Sequence, residues 1–430
     1  LIKAPEAGLV LVLAGLMLLL TIVGGIDKYR KPKDAVTINL PAGTQSRIES
    51  GTTVISTDSD VVYKRLNSLL AQDAEGNLIV ERTGGGNVTL RSEMRPSLGT
   101  TTINGVETRT LVVRPSGTAN TFLNFTNLFL VLVFASMIAI MAVGMTGVIT
   151  MGGIDLSVGS IYGLSALYGA MALHAMQKSA LGLGPDDPAS TIGGMSIATS
   201  LPLAMLVCCG VGALAGLLNG ALIVGLRVHP FVITLGTMAA YRGWIALPAS
   251  AQTVGEFPES FTRDFFKADW WGVTPMPVIF MLITAAAGMF VLSRTVFGRR
   301  IFAIGGNEVA AHYAGIPVGK TKLIAYALMG ALSGLSACVY LGYFGAASPD
   351  AGNGYELQVI AAAVIGGASL SGGRGTALGA LLGAILVELL KNGMLILQID
   401  NNYNQIVMGA AIILAVVMDQ LKSRLVPLGK

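Results

Sequence analysis

The chain has 430 residues, of which 53% are hydrophobic and only 12% charged, with a mean hydropathy of +0.68. That is more apolar surface than a soluble fold of this length needs, and long uncharged runs of about 20 residues read as membrane-spanning helices. The net charge is only +4, and three cysteines without CxxC or Cys/His spacing support neither a disulfide framework nor a zinc site.

The chain opens at "LIKAPEAG" without Met, from which we expect a short upstream piece. The first apolar run, Ala7 to Ile26, is longer than a signal-peptide core and is followed by no A-x-A site, so it reads as a retained span. Residues 1–27 are therefore taken as the first transmembrane helix.

Residues 28–120 change character and become polar, rich in Thr, Gly and charge. "TTINGVETRTLVV" alternates around Asn104-Gly105, a hairpin signal. "NLIVERTGGGNVTLRSEM" predicts two short strands, and "SDVVYKRLNSLLAQ" an amphipathic helix. The segment is predicted to be a small α+β insert outside the cytoplasm.

From Phe122 the chain is apolar again, and 121–430 is read as the membrane core. Spans are predicted near 122–150, 154–176, 200–226, 231–248, 274–293, 321–345, 357–370, 376–396 and 404–420, giving about ten with the first. The fold class is thus an all-α polytopic membrane protein with broken spans plus the insert. The run 357–370 is too short to cross a bilayer as one straight helix.

With the N-terminus placed inside, the inner connections hold ten Lys and Arg against Glu308 and Asp419. The short outer loops hold Lys178, Arg263 and Lys267 against nine acids, a positive-inside pattern. "KYRKPK" opposes it, but it leads into a long loop of the kind that escapes the rule. Both termini are expected to be cytoplasmic, and Trp244, Trp270 and Trp271 are expected to mark the outer interface.

Four features stand out as functional candidates. Gly152-Gly153-x-x-Leu156-Ser157-x-Gly159 recurs as Gly366-Gly367-x-x-Leu370-Ser371-x-Gly373, both where a span must break. Paired interruptions of this kind mark transport pathways. Asp155 stands between them and the next apolar run, where it is predicted to N-cap the helix by accepting from the Ser157 and Val158 N–H groups, or to line the path. Asn219, in mid-span, either bonds a neighbouring helix or lines the path. Arg242 is expected to snorkel or to meet a carboxylate such as Glu356.

The inner connection 294–322 starts and ends basic and contains a short helix, Asn307 to Ala314. Asn307 is predicted to cap it, Glu308 to sit in its first turn and Gly315 to close it. "GIPVGKT" in the same connection has three residues, not four, between Gly and Gly-Lys-Thr, so it is not a phosphate-binding loop.

"MAVGMTGVITMGGIDLSVGS", "GLLNGALIVGLRVHPFVITLGTMAAYRG", "GRRIFAIGGNEVAAHYAGIPVGKTK" and "IAAAVIGGASLSGGRGT" occur in this order, and together they resemble the permease subunit of the ribose/simple-sugar family of ABC importers. The resemblance implies a ten-span subunit of the bacterial plasma membrane, in contact with lipid and paired as a homodimer or heterodimer. It implies a cytoplasmic ATPase that carries the ATP and Mg, so this chain binds no cofactor and is no enzyme. It also implies an outer binding protein that delivers the sugar, and no nucleic acid. The ATPase contact would be Asn307, Glu308, Ala311, His312 and Gly315. Asp155, Ser157, Asn219 and Ser371 would serve the path or cap its broken helices.

Two features depart from that pattern: the insert at 28–120, and Glu388 with Lys391 in the ninth span, which are expected to pair with each other. The rival expectations are an ion-coupled transporter using Asp155 and a membrane-anchored receptor sensing through its outer domain.

Overall fold

The structure is a computed structural model and describes residues 4–26, 36–49, 52–67, 78–82, 87–90, 96–103, 106–113, 122, 125–184, 187, 190–248, 252–396 and scattered positions from 399 to 417. The stretch 28–33, the Asn104-Gly105 turn and most of the expected last span lie outside the described residues. The chain forms two units, one of Leu1–Leu20 with Asn124–Lys430, the other of Thr21–Leu123.

The first helix, α1 (Ala4–Ile26), is 23 residues long, or about 34 Å at 1.5 Å per residue. The smaller unit carries β1 (Val36–Asn39), β2 (Gln45–Glu49), β3 (Thr52–Thr57), α2 (Asp60–Asn67), β4 (Leu78–Arg82), β5 (Asn87–Leu90), β6 (Pro96–Ile103) and β7 (Val106–Val113). They form two sheets, β1-β7-β6 and β2-β3-β4-β5. The β6–β7 pair is antiparallel, as the hairpin signal predicts, and β4 and β5, expected only as two short strands, also pair antiparallel. β3 and β4 are parallel, which requires a crossover, and α2 supplies it. Val62 and Leu66, four residues apart on α2, enter a core with Ile55, Val80 and Leu111. The Tyr63 hydroxyl lies 2.6 Å from the carbonyls of both Thr57 and Glu81 and so ties the helix to both parallel strands.

In the larger unit follow α3 (Phe125–Thr150), α4 (Val158–Ala180), α5 (Ile197–Leu226), α6 (Pro230–Ala246), β8 (Val254–Gly255), a π-helical turn at Thr262–Phe266, α7 (Met276–Arg294), α8 (Val296–Gly306), α9 (Glu308–Tyr313), α10 (Val318–Phe344), β9 (Ala346–Ala347), α11 (Tyr355–Ile365) and α12 (Ala377–Ile396). Five of these, α3, α5, α7, α10 and α12, are long and apolar enough to cross a membrane. The helical unit is not wholly α, since β8 and β9 pair antiparallel.

α3 is apolar all round and buried along most of its length, as expected of a helix enclosed by others. α5 and α10 meet along a seam of small residues. A Cβ at Gly330 would run into the Gly212 carbonyl, and one at Gly216 into the Tyr326 carbonyl. Only glycine permits that approach, and close packing of this kind replaces the hydrophobic drive that helices lack in lipid.

Candidate functional site

Three helices end in the same way. In α3, Gly152 takes φ +80°, its N–H donates to Ile149 O (2.8 Å), and Gly153 N–H donates to Val148 O (3.0 Å). In α11, Gly367 takes φ +96°, with Gly367 N–H on Val364 O and Ala368 N–H on Ala363 O, both 2.9 Å. In α9, Gly315 takes φ +80°, with its N–H on His312 O (3.0 Å) and Ile316 N–H on Ala311 O (3.1 Å). Each satisfies the last helical carbonyls through a left-handed glycine, a conformation that costs other residues a Cβ clash. The sequence echo pairs Gly152 with Gly366, but the structural equivalent of Gly152 is Gly367. Periodic letters gave the right elements one residue out of register.

At the first break Asp155 is fully buried. Its Oδ1 accepts from Ser157 N–H (2.9 Å) and from Ser157 Oγ–H (2.6 Å). Of the two bonds expected of Asp155, the one from Ser157 N–H is present and the one from Val158 N–H is not found among the described residues. α4 starts at Val158 and its N-cap is Ser157, already at φ −80°, ψ −5°. Asp155 closes a side-chain turn onto the residue two ahead, the local bond that Asp favours, one step before the helix.

The network continues outward from Ser157. Asn219 Nδ2 of α5 donates to Ser157 Oγ (2.7 Å), and Tyr241 of α6 reaches Ala215 O (3.0 Å) and, more loosely, Asn219 Oδ1 (3.4 Å). Thr234 of α6 donates to Ile154 O (3.3 Å). Tyr326 of α10 presses its hydroxyl against Gly153, where a Cβ would stand 2.7 Å away. Asp155 Oδ2 and Tyr326 Oη are buried without a hydrogen-bond partner among the described residues. Three further helices, α5, α6 and α10, thus meet on the break, and Asn219 acts as an interhelical bond.

The second break, between α11 and α12, is folded on itself by Ser369 N–H to Arg374 O (3.1 Å). Ser371 there is exposed, unlike buried Ser157, so the echoed serines occupy different surroundings. The two breaks touch. Gly373 N–H donates to Thr150 O (2.9 Å), and Thr150 Oγ1 donates to Arg374 O (3.3 Å). Gly305, near the end of α8, lies against both, and a Cβ on it would collide with Thr150 O and stand 2.6 Å from Gly373 N.

Sequence reading missed α8. Thr295 starts it by accepting from Gly298 N–H at 3.1 Å, directly after α7 ends at Arg294. α9 follows, capped by Asn307 Oδ1 on Ala310 N–H (2.9 Å), while Glu308 pairs with Lys322 at 2.7 Å. Glu308, His312 and Gly315 are exposed, but Ala311 is buried and anchors the helix instead of presenting itself. The large exposed apolar residues of α9 are Val309 (64%) and Tyr313 (86%). They were legible as the outward positions of a short amphipathic turn. "GIPVGKT" follows this helix, where a phosphate-binding loop would follow a strand.

Elsewhere, Lys391 pairs with Glu388 (3.2 Å) as expected, and also reaches Gln358 Oε1 (2.6 Å). Arg242 bonds the Ala351 carbonyl (2.9 Å) and makes no ion pair with Glu356 among the described residues. Its fork is drawn to a turn carbonyl held close by the packing of Gly163 on Ala351. Trp244 donates to Tyr168 Oη at 2.9 Å.

Residues 127–416 match the family described as branched-chain amino acid transport system / permease component. Ribose import permease protein RbsC of Escherichia coli (strain K12) is 38% identical over 306 residues, 70% of this chain and 88% of that protein. D-allose transport system permease protein AlsC of the same strain is 37% identical over 305 residues, 70% and 86% respectively. Autoinducer 2 import system permease protein LsrD of Salmonella paratyphi B is 34% identical over 287 residues, 65% and 79%. No solved structure matches significantly. The four quoted stretches, the paired helix breaks and the matched region all fall in one part of the chain, and the chain belongs to this family of ABC-importer permease components.

Proposed function

We propose that the chain is the membrane subunit of an ATP-driven importer for a sugar or sugar-like solute, with ten spans, both termini cytoplasmic and the 28–120 insert outside. A second permease subunit completes the pathway. A cytoplasmic ATPase carries the ATP and Mg, and an outer binding protein delivers the solute. The chain makes no covalent chemistry.

The observation that supports coupling is a continuous contact path. Exposed Val309 and Tyr313 on α9 form the surface on which the ATPase docks. α9 joins α8 at Asn307, and Gly305 of α8 lies between Thr150 and Gly373, the edges of the two broken spans. A displacement of α9 is therefore delivered directly to both breaks. Such packed elements switch between discrete arrangements because close-packed interiors do not deform smoothly.

Gly305→Val tests the path. The added side chain cannot be accommodated by rotamer change, because its Cβ meets backbone atoms. The clash should lower the folded yield, and the fraction that folds and assembles with the ATPase should have lost uptake and substrate-stimulated ATP hydrolysis, both normalised to assembled protein. Normal coupling would refute the path. Ion-coupled transport through Asp155 finds no support in the relatives, which are named as import permease proteins for ribose, D-allose and autoinducer 2.

A further inference from the structure

A groove of about 340 Å³ runs between α3, α7, α8 and α10. Gly144, Gly147 and Gly288 form part of its floor, and Ala287 and Leu328 stand at its exposed side. Among the described residues, Thr284 is the one hydroxyl-bearing side chain in the lining, and it is spent on Phe280 O of its own helix at 2.8 Å. Such a lining offers nothing to a sugar.

Its length is informative. The lining runs from Ile283 to Leu292 on α7 and from Ala325 to Leu335 on α10. At 1.5 Å per residue these stretches span about 14–15 Å, the depth of one leaflet of a hydrocarbon core of about 30 Å. One end of the groove is closed by Phe297 and Ile301 of α8. Arg294 ends α7, and Arg299 and Arg300 follow on α8, with Arg299 Nη1 at 3.5 Å from the Arg294 carbonyl; residues 293–306 contain no acid, and none of the three arginines makes an ion pair among the described residues. An apolar slot one leaflet deep with a cationic rim matches the two ends of a single molecule.

We propose that this groove holds an acyl chain of an anionic phospholipid, with the phosphate headgroup on Arg294, Arg299 and Arg300. Guanidinium groups bind phosphate oxygens in paired hydrogen bonds, and basic pockets between transmembrane helices select anionic headgroups. Gly147 leaves the slot open, since a Cβ there would approach no closer than 3.9 Å to Ile301 Cδ1. The proposal rests on the chain lying in a membrane but not on the transported solute or the direction of transport.

The test is native mass spectrometry of the purified full chain with phosphatidylglycerol and phosphatidylcholine of identical acyl chains. The wild type should retain phosphatidylglycerol in preference by about tenfold or more, given three arginines near the headgroup. The variant R294Q/R299Q/R300Q should keep its bound lipid but bring that preference close to unity. Ala287→Phe, which fills the slot, should lose one retained lipid of either kind. Equal retention of the two lipids by the wild type overturns the proposal. So does an unchanged lipid count in Ala287→Phe, including the case in which that variant instead loses dimer because a second copy covers the groove.

Discussion

Replacing Asp155 separates a structural carboxylate from a functional charge. In Asp155→Ala, Ser157 loses the acceptor for both its N–H and its hydroxyl. The hydroxyl can rotate toward another acceptor, but the backbone N–H cannot. A buried donor left unsatisfied costs about 1–3 kcal/mol, and the loss of a turn-closing side chain costs about 1 kcal/mol where it has been measured at caps. These terms overlap, so the expected loss is about 2–3 kcal/mol. Asp155→Asn keeps Oδ1 and changes only the Oδ2 position, which has no partner, so it should stay within about 1 kcal/mol of the wild type. Ser, with a weaker version of the same turn, should fall between. Folded yield and thermal stability should rank Asp, Asn, Ser, Ala, and uptake into vesicles normalised to protein amount should follow the same order. A well-folded Asn variant with abolished uptake would refute this reasoning and make the charge itself functional.

Gly315→Val places a β-branched residue at φ +80° and should disturb the end of α9, abolishing substrate-stimulated ATP hydrolysis while membrane insertion stays normal. Gly330→Leu should remove most folded protein, because its side chain enters the Gly212 backbone, whereas Gly225→Leu, with open space around it, should be tolerated; yields after size-exclusion chromatography decide. Lys391→Met leaves Glu388 nearly buried and unpaired and should destabilise by about 1–3 kcal/mol, less than a fully dry pair would, while the double variant Glu388→Gln/Lys391→Met should recover most of that loss in thermal unfolding.

What was legible in the sequence followed from periodicity and from end signals. Asn307 and Gly315 bound α9 because a capping side chain and a left-handed glycine leave a local mark. The β6–β7 hairpin was visible in its alternation, and β4 and β5 were visible as strands though not as partners. α8 was not, because it begins one residue after α7 and no Gly or Pro separates them. The parallel β3–β4 pairing, the contact of Gly305 with both breaks, and the meeting of Asn219, Tyr241 and Tyr326 around Asp155 are long-range, and no local pattern encodes them. The offset between Asp155 and the start of α4 was lost because a side-chain turn two residues ahead and a true cap use the same residue types.

Solute uptake into proteoliposomes containing this chain with an ATPase and a binding protein separates ATP-driven from ion-driven import. Uptake of a labelled sugar should require ATP on the ATPase side and binding protein on the other, and should persist when ionophores collapse every ion gradient. Uptake that continues without ATP and vanishes with the gradients would contradict ATP-driven import.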